Sequence, residues 1–310
     1  MSERSTNSTS EADDQARSWL LRVFPQLPEQ DLRAFLFSMS GQEPYTLGPD
    51  SHPQDGVPQG RVIQYHWRSE RIYPGTERDY WLYVPAQYRD TEPACLMVFQ
   101  DGGRYVGSEV NVPTVFDNLI AARAIPVTIG LFVNSGDTGP GDLLYGGTSN
   151  RGFEYDSLGD AYARFLLEEV IPEIAKGYTL TADPAGRAIC GMSSGGICAF
   201  TVAWERPDAF GKVVSHCGSF TSMRGGNAYP ALIRRIEAKP IRVFLQTGAH
   251  DLDVMYGNWP IANRDMATAL AYRGYDHEFV FGEGGHTLGH AGASFPDTMR
   301  WLWRDYPARA

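Results

Sequence analysis

The residue best placed to do chemistry in this 310-residue chain is a serine held between glycines where one apolar run stops and another begins. Ala188-Ile189-Cys190 is short and apolar, Gly191-Met192-Ser193-Ser194-Gly195-Gly196 interrupts it, and Ile197 to Trp204 resumes with helical character. The pattern predicts strand, sharp turn, helix. Gly191-x-Ser193-x-Gly195 is the spacing of a nucleophile elbow, in which a strained serine is presented at the turn and the glycines let strand and helix approach without Cβ clashes. Ser193 is the candidate nucleophile. The backbone N–H of Ser194, at the start of the helix, suits a developing oxyanion.

A serine hydroxyl is a poor nucleophile near neutral pH, so it needs a base, and the base needs an orienting carboxylate. Two late loops offer them. Gly248-Ala249-His250-Asp251-Leu252-Asp253 follows the apolar run Ile241 to Gln246, and Gly282-Glu283-Gly284-Gly285-His286-Thr287-Leu288-Gly289-His290 follows His277 to Phe281. Asp251 is the expected acid, with Asp253 as alternative, and His286 the expected base, with His290 as alternative. The order Ser, Asp, His is the one that α/β-hydrolases use. A second oxyanion donor should come from the loop after an early strand, where Phe99-Gln100-Asp101-Gly102-Gly103-Arg104 places Gly103, or Gly102, to turn a backbone N–H toward the cavity. Asp101 sits awkwardly there, because an anion facing the oxyanion would oppose the reaction.

The elements that must position these residues alternate. Val62 to Trp67 and Asp79 to Val84 read as an antiparallel edge pair joined by Tyr73-Pro74-Gly75-Thr76. Strands at Cys95–Phe99, Val127–Val133, Arg187–Cys190, Val213–His216, Ile241–Gln246 and His277–Phe281 then alternate with helices at 112–122, 158–176, 197–204, 259–273 and 296–306. The expected fold class is α/β: a mostly parallel central sheet with antiparallel edge strands, helices on both faces, and the site at the carboxyl ends of the strands. Ahead of this catalytic domain (61–310) lies an N-terminal extension (1–60). It comprises a polar tail, two short amphipathic patterns (Trp19-Leu20-Val23-Phe24 and Leu32-Phe35-Leu36) broken by Pro25 and Pro28, and a Pro/Gly-rich linker from Ser40 to Gly60.

Composition excludes some alternatives. A net charge of −10 spread along the chain argues against nucleic-acid binding. Cys95, Cys190, Cys198 and Cys217 lie in or beside apolar segments with neither CxxC nor zinc spacing, and read as buried thiols. No signal peptide or membrane-spanning run is visible, so the chain as given reads as cytoplasmic, with secretion or a periplasmic site left open should a leader have been removed. Oligomeric state is not legible.

With these motifs in order, residues 60 to 307 resemble the "Putative esterase" family of α/β-hydrolases, which includes enterochelin, feruloyl and acetylxylan esterases, S-formylglutathione hydrolases and mycolyltransferases. Phe99-Gln100-Asp101-Gly102, the Ser193 elbow, Gly248-x-x-Asp251 and Gly284-Gly285-His286 carry the likeness. Arg78-Asp79-Tyr80-Trp81, Phe153-Glu154-Tyr155-Asp156 and Gly257-Asn258-Trp259-Pro260 draw it toward the enterochelin-esterase-like members. The resemblance implies hydrolysis or transfer of an acyl group through a serine ester, with no metal or organic cofactor, on a small-molecule or carbohydrate ester. Gln100-Asp101-Gly102 departs from the His-Gly of feruloyl members. Candidate substrate contacts are Arg104, Arg151, Glu154, Tyr155 and Trp259, against which stand an Arg151–Glu154 ion pair and a packing role for Trp259. The glycine-rich stretch from Asn134 to Asp142 suggests a lid, and Asp137 with Asp142 a weaker calcium reading.

Overall fold

The computed structural model describes residues 14–18, 20–21, 27–40, 44–138 and 150–307. Its centre is an eight-stranded sheet built from β1 (Arg61–Arg68), β2 (Glu77–Val84), β3 (Cys95–Gln100), β4 (Thr128–Val133), β5 (Arg187–Met192), β6 (Lys212–His216), β7 (Arg242–Gly248) and a last strand, β10 (His277–Gly282). The spatial order is β1-β2-β4-β3-β5-β6-β7-β10. Only the β1–β2 and β2–β4 pairings are antiparallel; from β4 to β10 all neighbours run parallel. This is the α/β-hydrolase architecture, with β5 at the middle of the sheet.

Burial on both faces explains why the central strands read as continuous apolar runs rather than as alternating ones. Leu96, Val98, Ile129, Leu131, Ile189, Val213, Val243 and Leu245 point to one face. That face is covered by α5 (Ala161–Phe165), a π-helical turn (Leu166–Val170), α6 (Ile171–Ile174), α7 (Ser194–Glu205), α8 (Tyr229–Arg235) and α9 (Trp259–Arg273). Met97, Phe99, Phe132, Cys190, Val214 and Phe244 point to the other, under α3 (Val112–Ala121) and α10 (Gly289–Trp303). Two short helices, α2 (Gly102–Val106) and α4 (Arg151–Tyr155), lie at the carboxyl ends of the strands. A small hairpin, β8 (Asp253–Val254) with β9 (Gly257–Asn258), follows the acid loop.

The closing helix departs from expectation. It begins at Gly289 rather than Pro296, so Pro296 lies inside it. Its first turn, Gly289-His290-Ala291-Gly292, is too small to show apolar periodicity, and that smallness is what the fold uses: a Cβ on Gly292 would sit 2.1 Å from the Glu109 carbonyl oxygen.

Before β1, α1 (Glu29–Ser38) packs Leu32 and Phe35 into a separate apolar cluster with Leu252, Val254 and Trp259. Of the first amphipathic pattern, Leu20 is buried, whereas Trp19, Val23 and Phe24 fall outside the described residues. The linker runs over the main body, where Tyr45 stacks on His290 at 4.1 Å and Asn118 donates to the carbonyls of Asp50 and His52. In the suggested lid, Asp137 exchanges backbone hydrogen bonds with Glu77 at 2.7 and 2.8 Å. Residues 139–149, Asp142 among them, lie outside the described residues, and with them most of the lid and half of the calcium reading. Among the described residues no helix is long and apolar enough to cross a membrane.

Candidate active site

Ser193 connects β5 to α7 with φ 59° and ψ −122°, a conformation that β-carbon-bearing residues rarely adopt. The flanking glycines make it possible. A Cβ on Gly191 would lie 2.2 Å from the Gly195 carbonyl oxygen, and one on Gly196 would lie 2.6 Å from Ser215 Oγ. The turn is tied to the next strand by the Ser193 N–H, which donates to the His216 carbonyl at 2.9 Å.

Three loops bring the chemistry together. The Ser193 hydroxyl donates to His286 Nε2 at 2.9 Å, and His286 Nδ1–H donates to Asp251 Oδ1 at 2.6 Å. That tautomer follows from the partners, since a carboxylate can only accept. Asp251 is buried and held at both oxygens. Thr247 Oγ1 donates to Oδ2 at 2.5 Å and the Leu252 N–H to Oδ1 at 2.8 Å. Burial alone would raise the Asp251 pKa, but the charge and hydrogen bond of His286, with Thr247 and Leu252, hold it below the ordinary carboxylate value. The alternatives lie elsewhere: Asp253 is exposed in β8, and His290, on α10, shares a hydrogen bond with Gln246 at 3.1 Å.

Cys217 Sγ approaches Asp251 and His286 so that one ligand atom from each lies within 4.8 Å of the others. Both imidazole nitrogens are engaged, one with Ser193 and one with Asp251.

The expected oxyanion donors sit at two helix starts. Ser194 opens α7, so its N–H is one of the first-turn donors that lack an intrahelical acceptor. Gly103 is in α2, and its N–H donates to Asn134 Oδ1 at 3.1 Å, a side-chain acceptor that an incoming oxyanion could replace. Gly102 has no room for a side chain, as its Cβ would lie 2.2 Å from the Phe132 carbonyl carbon. Elbow and oxyanion loop adjoin: a Cβ on Gly195 would meet Gln100 Cβ at 3.1 Å and Asp101 Oδ2 at 3.4 Å.

Asp101, in left-handed conformation at φ 51°, is neutralised by a bidentate pair with Arg151, Nε to Oδ1 at 2.9 Å and Nη2 to Oδ2 at 2.6 Å. Tyr155 supports the same loop, accepting from the Asp101 N–H at 3.2 Å and donating to the Val133 carbonyl at 3.3 Å.

Of the five expected substrate contacts, the structure therefore separates two groups. Glu154, Tyr155 and Trp259 are fully buried and so are not available to a substrate. Glu154 pairs with Arg78, not Arg151, at 2.6 and 3.0 Å, and also accepts from Asn150 and the Gly136 N–H. Trp259 presents its ring edge-on to His286 at 6.0 Å between centroids. Arg104 and Arg151 retain partial exposure. Arg151 is committed to Asp101, whereas Arg104 pairs with the half-exposed Glu109 and reaches Met192 Sδ, next to Ser193, at 3.4 Å.

Two further residues stand at the site. Ser219 places its hydroxyl 3.2 Å from Ser193 Oγ and donates its N–H to the Ser193 carbonyl. Its place just after β6, at the carboxyl end of a central strand, was the available signal. Asp156 lies behind the elbow, hydrogen-bonded to the Ser194 side chain. Burial pushes its pKa up to about 6, against the opposing pull of Arg151, Ser194 and Arg224.

Comparison with known proteins agrees with the fold. The chain is 24% identical over 325 residues to the iron(III) enterobactin esterase of Dickeya dadantii, covering 94% of this chain and 68% of that protein. The solved enterochelin esterase of Shigella flexneri superposes with a TM-score of 0.66 at 21% identity, over 85% of this chain and 63% of the other. A ferulic acid esterase from Anaeromyces mucronatus superposes at 0.61 with 15% identity, over 83% and 97%. The chain thus spans between about half and two thirds of the length of the enterobactin esterases it matches. A family model matches residues 71–302, the stretch that holds the elbow, the acid loop and the histidine loop, and the chain belongs to that family, "Putative esterase".

Proposed function

We propose that the protein hydrolyses carboxylic esters through an acyl-enzyme on Ser193. The observation that carries this reading is the unbroken chain from Ser193 Oγ through His286 to buried Asp251, at 2.9 and 2.6 Å, on a serine already strained into the elbow conformation. As Ser193 Oγ forms its bond to the ester carbonyl carbon, its proton passes to His286 Nε2, and Asp251 stabilises the resulting imidazolium. The N–H groups of Ser194 and Gly103 receive the oxyanion. Collapse breaks the carbon–oxygen bond to the alcohol, which leaves with the proton from His286. Water then gives a proton to His286, attacks the acyl carbon, and releases the acid as Ser193 regains its proton.

The names of the similar proteins, enterobactin esterase and ferulic acid esterase, direct the substrate reading to siderophore-type and aryl esters. Arg104 is the side chain proposed to touch the substrate, being partly exposed and next to Met192. The test is a screen of p-nitrophenyl acetate, butyrate and octanoate, methyl ferulate, acetylated xylan and a catecholate siderophore beside Ser193→Ala, with fluorophosphonate labelling in parallel. Serine-dependent turnover and labelling at Ser193 are expected. Turnover that survives Ser193→Ala would remove the assignment, and added alcohol acceptors distinguish hydrolysis from acyl transfer.

A further inference from the structure

The histidine loop is held from outside the family-matched stretch. Gly284-Gly285 brings His286 against the end of α1, and Gly285 is the residue that permits this, because a Cβ there would lie 2.2 Å from the Ser38 carbonyl oxygen. The His286 N–H is shared between two acceptors on one residue, Ser38 O at 2.8 Å and Ser38 Oγ at 2.9 Å. The Ser38 hydroxyl passes its own proton onward to the His250 carbonyl at 2.7 Å, immediately before Asp251. Ser38 is buried, so these bonds are not shared with solvent. One hydroxyl therefore joins the loop after β10 to the loop after β7.

The rest of α1 clamps the same two loops. Asp31 Oδ2 accepts the Met255 N–H at 2.8 Å in the hairpin after the acid loop. Leu32 and Phe35 pack with Leu252, Val254 and Trp259, and Trp259 is the ring that stands edge-on to His286. Nothing in α1 reaches Ser193 itself by a hydrogen bond among the described residues, so its influence must pass through His286 and Asp251.

We propose that Ser38 is a positioning residue of the active site. It fixes the backbone of His286 relative to Asp251, so that the imidazole stays within hydrogen-bond reach of Ser193. The inference rests on the Ser-His-Asp reading above and adds to it a requirement for a residue that the family match, beginning at 71, does not include. The physical ground is that misplacing a catalytic group by about 1 Å can cost on the order of 100-fold in rate even when the change is remote from the chemistry.

The test uses the full chain with Ser38→Ala, Ser38→Thr and Ser193→Ala. It reads kcat and KM on a p-nitrophenyl ester, the rate of fluorophosphonate labelling, the low-field proton resonance of the His286–Asp251 hydrogen bond, and Tm. Because the Ser38 carbonyl still accepts from His286, Ser38→Ala keeps one of the two bonds and the helix. Its kcat and labelling rate are expected to fall together by about tenfold with KM little changed, and the low-field resonance to broaden; Ser38→Thr, which restores the hydroxyl, recovers most of the rate. Ser38→Ala with unchanged kcat and labelling, a loss confined to KM or to Tm, or a threonine variant no better than alanine would overturn the role of Ser38. Turnover in Ser193→Ala would instead overturn the nucleophile, so the two failures are told apart.

Discussion

Asp251 and Asp156 are both buried carboxyls within the same site, yet their surroundings push them in opposite directions. Asp251 has four favourable influences and stays ionised; Asp156 has one oxygen without a hydrogen-bond partner among the described residues and rises to about 6. The signs for stability follow. Asp251, with its pKa below the ordinary value, contributes stability that is present near neutrality and is lost as pH falls through its folded pKa. Asp156, with its pKa above 3.8, binds a proton more readily folded than unfolded, so stability falls as pH rises from about 4 to about 6. The difference corresponds to at most about 3 kcal/mol. Asp156→Asn should therefore raise the urea midpoint at pH 8 by the equivalent of about 1–2 kcal/mol and flatten its dependence between pH 4 and 6. An unchanged profile would show that Arg151 and Arg224 already compensate the charge. Asp251→Asn should lower kcat by about 10⁴-fold, because the amide no longer selects the Nδ1–H tautomer of His286; Michaelis–Menten parameters on the preferred ester check this.

At the scale of elements, the buried Arg78–Glu154 pair shows what could and could not be read in advance. Both side chains are completely inaccessible, Arg78 lies 4.2 Å from the Phe165 ring centroid, and Glu154 also fixes the Gly136 N–H. Glu154→Gln leaves the guanidinium charge without its counter-ion, with an expected loss of about 3–5 kcal/mol in denaturant titration, while Arg78→Met with Glu154→Leu should recover much of it. The sequence offered Arg151 as partner because it is three residues away, whereas the real partner is 76 residues away and announces itself by nothing local. Ser38 was hidden for the same reason, its contact with His286 spanning 248 residues. Ser193, Asp251 and His286 could be singled out because each follows a strong apolar run and carries its own glycine signature, so each is marked locally even though they meet at a distance. Gly191 illustrates how hard such a signature is to alter. Gly191→Ala would force a Cβ to 2.2 Å from backbone of the elbow, and soluble yield and fluorophosphonate labelling should both collapse.

For the molecule as a whole, the alternation of apolar runs and helical patterns was enough to give the sheet, since strands buried on both faces and helices on either side leave few arrangements. The four cysteines follow from that burial. All are enclosed, and burial pushes the Cys190 and Cys198 thiols well above their ordinary range. A thiol reagent should accordingly react slowly with the native protein and with four equivalents once it is denatured; rapid native reaction of any one would point to local opening at that site.

The position of His286 late in the chain, on the loop between β10 and α10, has a consequence for the order in which the protein becomes competent. Ser193 follows the central strand β5, but the base proposed for it arrives with the strand at the far edge of the parallel run, and α1, synthesised long before, waits for that loop. Under the proposed mechanism, the elbow and most of the sheet emerge during translation without their proton acceptor, and turnover begins only when β10 and α10 dock. Such a nascent chain would be unable to cleave the esters around it until its fold was nearly complete.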